Sequence, residues 1–125
     1  MLSQSQIKLN KNTKIKMKNI KTLKFWAPWC KPCASLSTQL EGLDVTNYNI
    51  DESEGSTVAA EFQIRNIPAL VFLEVDENGK GKEIYRHVGV ISRKDYLDTV
   101  DALVNGKVNP EYQELVQKFG TPKID

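Results

Sequence analysis

The chain has 125 residues, 40% of them hydrophobic and 26% charged, with a net charge of +1 at pH 7. That length suits one domain around one core, and the composition is that of a globular protein. No apolar run approaches the ~20 residues a membrane span needs, and the charge balance gives no global reason to expect a nucleic acid or a membrane as partner.

The charge is unevenly placed. Lys8, Lys11, Lys14, Lys16, Lys18, Lys21 and Lys24 all precede the first acidic residue, Glu41. Residues 1–19 therefore read as a basic arm, either a solvated strand face or an electrostatic dock for an acidic partner. The arm lacks the apolar stretch of a secretory signal, so the expected compartment is the cytosol. A cysteine pair in a reducing compartment points to catalysis or metal binding rather than to a structural crosslink.

Along the chain, Ile7–Leu9 and the Ile15/Met17 alternation read as short strands. Ile20–Trp26 is the next strand, expected to be central. A helix is expected from Cys30 to near Gly42, with Pro32 tolerated in its first turn and Leu36, Leu40 and Leu43 on its apolar face. Val45–Ile50 reads as a strand, Ser56–Phe62 as a short helix, and the apolar Ala69–Val75 as a buried strand. Asp76-Glu77-Asn78-Gly79-Lys80-Gly81 is a hairpin signal, from which Ile84–Val90 returns antiparallel. Ser92 caps a helix with Asp95 three residues on. Tyr96, Leu97, Val100, Leu103 and Val104 are expected on its buried face, and Asn105-Gly106 ends it. A last helix is expected over Pro110–Phe119. The order of elements predicts an α/β fold: a mixed sheet with helices packed on it.

Both cysteines lie in Phe25-Trp26-Ala27-Pro28-Trp29-Cys30-Lys31-Pro32-Cys33. Two intervening residues allow a small disulfide ring across the first turn of a helix. A Cys at that position faces unpaired backbone N–H groups and the positive end of the helix dipole, which favour the reactive thiolate. The segment therefore predicts thiol–disulfide exchange. Zinc would need about four ligands, and the chain offers two Cys and one His, His87.

The chain resembles the thioredoxin family over residues 20–104. The nine residues Phe25–Cys33 are similar to its active-site strand and turn, and Asn49-Ile50-Asp51 to the end of a later strand. Phe62-Gln63-Ile64-Arg65-Asn66-Ile67-Pro68-Ala69-Leu70 is similar to its cis-proline loop, Asn78-Gly79 to its hairpin and Val88-Gly89 to the glycine beside its active site. The resemblance implies a thioredoxin-like fold with a central mixed sheet flanked by helices, and sets off a C-terminal extension, 105–125, with a short helix. It departs from the family in five ways. Lys24 stands at the family's buried acid, and Asn47 at the lysine that partners that acid. The dipeptide between the cysteines is Lys31-Pro32 rather than Gly-Pro. The Cys30–Asp51 interval is short, implying a trimmed active-site helix. The arm shows no helical period.

The resemblance implies a protein-disulfide reductase in which Cys30 is the attacking nucleophile and Cys33 the resolving thiol. Lys31 adds a positive charge near Cys30. Pro68 would hold a cis bond opposite the cysteines, turning the Ile67 backbone towards substrate. Trp29, Lys31, Pro32, Ile67, Val88 and Gly89, with Val90, would form the docking rim, and Trp26 would lie in the core beneath. Lys24 is assigned to the catalytic set with two open readings. Its cation stabilises the Cys33 thiolate and makes the protein more oxidising, or its side chain snorkels to the surface because the covering helix is short. His87 receives no role. The dithiol couple needs no metal or organic cofactor. Expected partners are disulfide-containing proteins, ribonucleotide reductase by family analogy, and a thioredoxin reductase or glutathione as electron donor. Glutaredoxin-like, oxidase or isomerase activity is the alternative, followed by a non-catalytic binding module.

Overall fold

A computed structural model describes residues 18–106. The strands expected near Ile7–Leu9 and Ile15–Met17, the body of the basic arm and the helix expected over Pro110–Phe119 lie outside the described residues. Within them the order is β1 (Ile20–Trp26), α1 (Lys31–Gln39), β2 (Thr46–Asn49), α2 (Ser53–Glu61), β3 (Ala69–Val75), β4 (Gly81–Val88) and α3 (Arg93–Val104). The four strands form one mixed sheet in the order β2-β1-β3-β4. β1 runs parallel to β2 and antiparallel to β3, and β3 runs antiparallel to β4.

β1 and β3 are central, and successive residues of each address opposite faces of the sheet. Leu23 and Phe25 of β1 join Ala69, Val71 and Leu73 of β3 in a core beneath α2, where Ala59 meets them. Leu70 and Phe72 of β3 pack on the other face with Leu36 and Leu40 of the α1 region and Tyr96 and Leu103 of α3. Four residues of β1 also stand on that second face by alternation, with Ile20 packed against its core. Thr22 accepts a 2.8 Å hydrogen bond from the Tyr96 hydroxyl. Lys24 donates one of 2.6 Å to the Ser37 hydroxyl. Trp26 packs against the cysteines.

Element boundaries shift where tertiary contacts override local sequence. α1 ends at Gln39 rather than near Gly42, and the chain turns through Gly42 at φ +81°. The exposed end of α1 is clasped to α3. The Arg93 guanidinium donates to the carbonyls of Gln39 (3.3 Å) and Glu41 (2.8 Å), and the Arg93 backbone N–H donates to Gln39 Oε1 at 2.8 Å. α2 starts at Ser53, three residues ahead of the expected Ser56, because the chain winds directly out of β2. The Asn49 side chain accepts from the Asp51 N–H, and the Asn49 carbonyl accepts from the Glu52 N–H. β4 spans Gly81–Val88 rather than Ile84–Val90. The hairpin lets Gly81 pair with Val75 at once, and Gly89, at φ +105°, turns the chain away after Val88. On α3, Ser92 caps the helix through the Asp95 N–H as expected. Leu97, assigned to the buried face, is exposed instead. It sits about 100° round the helix from the buried Tyr96, outside the arc that faces the sheet.

Candidate active site

β1 delivers the chain at Trp26 to a turn in which the Cys30 N–H donates to the Ala27 carbonyl at 3.2 Å. Cys30 is extended and caps α1, and Pro32 occupies the first helical turn, where its missing N–H costs nothing. Cys30 and Cys33 form a disulfide. Cys30 Sγ accepts a hydrogen bond from the Cys33 backbone N–H at 3.2 Å. The same N–H is in place to stabilise a Cys30 thiolate once the disulfide opens. Cys33 is 1% exposed and Cys30 8%, so both residues are buried and Cys33 is the more fully enclosed.

Opposite the cysteines, the Ile67–Pro68 bond is cis. The Ile67 carbonyl oxygen stands 3.9 Å from Cys30 Sγ. The Gly89 N–H donates to the Pro68 carbonyl at 2.8 Å, which ties the end of β4 to this loop. Around the disulfide, Trp29 is 66% exposed, and Val88 and Val90 are exposed on the neighbouring edge. Ile67 is half-buried and packs beneath the cysteines with Trp26 and Ile50. Lys31 and Pro32 are exposed on the first turn of α1. The fold thus gathers Trp29, Cys30, Lys31, Pro32 and Cys33 from the β1–α1 turn, Ile67 and Pro68 from the α2–β3 loop, and Val88 and Gly89 from the end of β4. His87 lies apart, its Nε2 3.4 Å from the Val90 carbonyl oxygen.

The family model for thioredoxin matches residues 5–102. The chain belongs to the thioredoxin family. It is 28% identical over 83 residues to the chloroplastic M-type thioredoxin of Spinacia oleracea, a match covering 62% of this chain and 43% of that protein. It is 31% identical over 85 residues to a thioredoxin of Griffithsia pacifica, covering 61% of this chain and 71% of that one. The chain thus spans less than half the length of the spinach relative. Among solved structures, a thioredoxin from Thermus thermophilus superposes with a TM-score of 0.58 at 20% identity, over 70% of this chain and 75% of that one. That likeness carries the thioredoxin fold. No helix among the described residues is long and apolar enough to cross a membrane.

Two features of this thioredoxin site lie beyond its motifs. Trp29 Nε1 donates to the carboxylate of Asp51, at 3.1 Å to Oδ2 and 3.3 Å to Oδ1. Asp51 is legible in the sequence only as the residue closing the second strand, because nothing local says that an indole ahead of Cys30 reaches it. The second feature is Lys24. Its side chain does not snorkel to the surface: Lys24 is 5% exposed and held at Ser37. It lines a cavity of about 420 Å³ with Trp26, Leu40, Leu43, Val45 and Asn47. Burial pushes its amine below the usual lysine range. The shortened α1 still covers it, since Ser37 lies within the nine helical residues. The spacing of Ser37, four residues after Cys33, is the one sequence signal that puts a polar group on the same helix face as the second cysteine.

Proposed function

We propose that this protein is a dithiol–disulfide oxidoreductase that reduces protein disulfides. The observation that carries this reading is the asymmetry of the cysteine pair at the mouth of α1, with Cys30 at the N-cap and Cys33 more fully enclosed in the first turn. The Cys30 thiolate attacks a substrate disulfide and forms a mixed disulfide, releasing one substrate sulfur as a thiolate that takes a proton. An extended substrate segment pairs with the backbone at Ile67 while its side chains rest on Trp29, Val88 and Gly89. Cys33 then attacks Cys30 Sγ, closes the Cys30–Cys33 disulfide and expels the second substrate sulfur. This chemistry calls on no metal or organic cofactor. A thioredoxin reductase or glutathione restores the dithiol, cytosolic protein disulfides are the substrates, and ribonucleotide reductase is one recipient by family analogy.

Cys33→Ser tests the reading. With the disulfide of insulin as substrate, the wild-type dithiol turns over in the presence of dithiothreitol. The Cys33→Ser protein accumulates a mixed disulfide visible by mass spectrometry, and Cys30→Ser forms none. A mixed disulfide that forms at Cys33 in the Cys30→Ser protein instead reverses the two roles. A second reading, net disulfide oxidation or isomerisation, is favoured by one observation, the burial of the Lys24 side chain on the sheet face that leads to the cysteines. Equilibration against glutathione separates the two. A potential near about −270 mV marks a reductant, and one of about −180 to −120 mV an oxidant or isomerase.

A further inference from the structure

Thr22 and Lys24 are the buried polar or charged residues of the described core. Thr22 is matched by the Tyr96 hydroxyl. Lys24 is matched only by the neutral Ser37 hydroxyl. A buried ammonium without an ion-pair partner is costly, and in the oxidised protein Lys24 has its hydrogen bond to Ser37 and no ion pair among the described residues.

The geometry says what would pair with it. Ser37 follows Cys33 by four residues on α1, so their side chains stand one above the other on one helix face, with Cβ atoms about 5–6 Å apart. Side chains on a helix lean towards its N-terminus, which points Ser37 at the turn that carries Cys33. Trp26, the next residue of β1 on the same face as Lys24, packs directly on the cysteines. The bond to Ser37 thus holds the Lys24 amine against the α1 face that carries Cys33 one turn earlier. The elements around it bring few competitors. β2 places the neutral Asn47 in register with Lys24, and β3 places the apolar Leu70 there. The one carboxylate lining the cavity is that of Glu41, an exposed residue.

We propose that Lys24 is the counter-charge of the Cys33 thiolate. Reduction of the disulfide creates a buried ammonium–thiolate pair next to Ser37, and this pair biases the couple towards its reduced form. The inference rests on the redox reading above. In the step itself, a donor dithiol supplies two electrons, the Cys30–Cys33 bond breaks with an electron pair on each sulfur, and the donor becomes a disulfide. Of the two protons the donor loses, one goes to Cys30, which gives it up to solvent again when the Cys30 thiolate forms for attack on substrate. The other goes to the Lys24 amine where that amine is neutral, and to solvent where it is already an ammonium, so Cys33 remains a thiolate. Lys24 is thus a positioning residue: it touches no substrate and acts on Cys33 through charge. Within its family this protein would be shifted towards the oxidising side.

The test is equilibration of wild type, Lys24→Met and Glu41→Gln against glutathione, with the 13Cβ resonance of Cys33 followed through a pH titration of the reduced proteins. The expected result is that Lys24→Met shifts the equilibrium at least tenfold towards the disulfide, about 30 mV at two electrons. Its Cys33 is expected to titrate above the ordinary thiol value of about 8.5, and wild-type Cys33 below it. Glu41→Gln is expected to leave both readouts unchanged, and a Glu41→Gln effect as large as that of Lys24→Met would overturn the assignment. Where Lys24→Met does not fold, wild type decides alone. The Lys24 13Cε resonance should then titrate at higher pH in the reduced protein than in the oxidised one, and coincident titrations overturn the pairing. A wild type that forms no reversible disulfide with glutathione defeats the redox reading itself. One that does, with an equilibrium Lys24→Met leaves untouched, defeats only the role of Lys24.

Discussion

At the scale of single residues, the site depends on groups whose partners are far away in sequence. Cys30 serves two purposes: its backbone geometry caps α1, and its sulfur takes the Cys33 N–H that a polar cap would otherwise engage. Trp29 is exposed, yet its indole is oriented by Asp51, 22 residues on. Because that bond sits in solvent, it orients more than it stabilises. Asp51→Ala is expected to lower stability in urea unfolding by no more than about 1 kcal/mol. The same change should move the Trp29 indole N–H resonance, as the loss of its carboxylate acceptor requires. A loss well above that, or an unmoved indole resonance, would show that the bond is not what holds the ring.

At the scale of elements, α2 illustrates packing deciding against propensity. Ser53-Glu54-Gly55-Ser56 has the composition of a turn, yet it forms the first turn of the helix. Gly55 lies where α2 crosses the end of β2, and a Cβ there would overlap the Asn49 carbonyl. In an exposed helix, replacing Gly by Ala stabilises by about 1 kcal/mol. Here the sign reverses. Gly55→Ala is expected to cost roughly 1–3 kcal/mol, the usual penalty of overpacking, read as a lower urea midpoint at unchanged m-value. A stabilised Gly55→Ala protein would mean that α2 stands further from β2. At the other end of the sheet's second face, the Arg93 clasp does for α1 what a C-terminal glycine motif does for a longer helix. It gives the Gln39 carbonyl at the end of α1, and the Glu41 carbonyl in the turn beyond it, a donor from α3.

At the scale of the whole molecule, the sheet separates two environments. One face is a plain apolar core under α2. The other carries the polar column of Thr22 and Lys24 leading to Trp26 and the cysteines. This arrangement sets the pH dependence of the oxidised protein. The Lys24 amine titrates below its unfolded value of 10.5 because burial disfavours the charge. The unfolded chain therefore binds the proton more tightly, and the stability contributed by Lys24 is present above pH 10.5 and lost as pH falls through the depressed value. Tyr96 works in the opposite sense. Burial raises its pKa above 10.0, so its contribution is full below that value and is lost as pH rises through the raised one. Oxidised Lys24→Met should consequently be more stable than wild type at pH 7, by roughly 1–2 kcal/mol. The gap should narrow as pH rises towards that of free lysine, while Tyr96 weakens both proteins alike. Urea unfolding across that pH range checks this, and a gap constant with pH would show that Lys24 titrates normally in the folded protein.

The residues themselves were enough to indicate the family, the class of fold and most of the elements. A CxxC pair behind an apolar strand, a run such as Ala69–Val75, an Asp76–Gly81 hairpin and a Ser92 cap each act through neighbours a few residues away, so their meaning is local. Tertiary structure alone decided where α2 begins, that Leu97 faces solvent, that Asp51 holds Trp29 and that Lys24 stays inside. The start of α2 turns on how the chain winds out of β2 around Asn49, and the other three on packing between segments distant in the chain. Whether a lysine snorkels depends on what covers it, and that cover, Ser37 on α1 over the floor of β1, exists only once the helix has packed on the sheet.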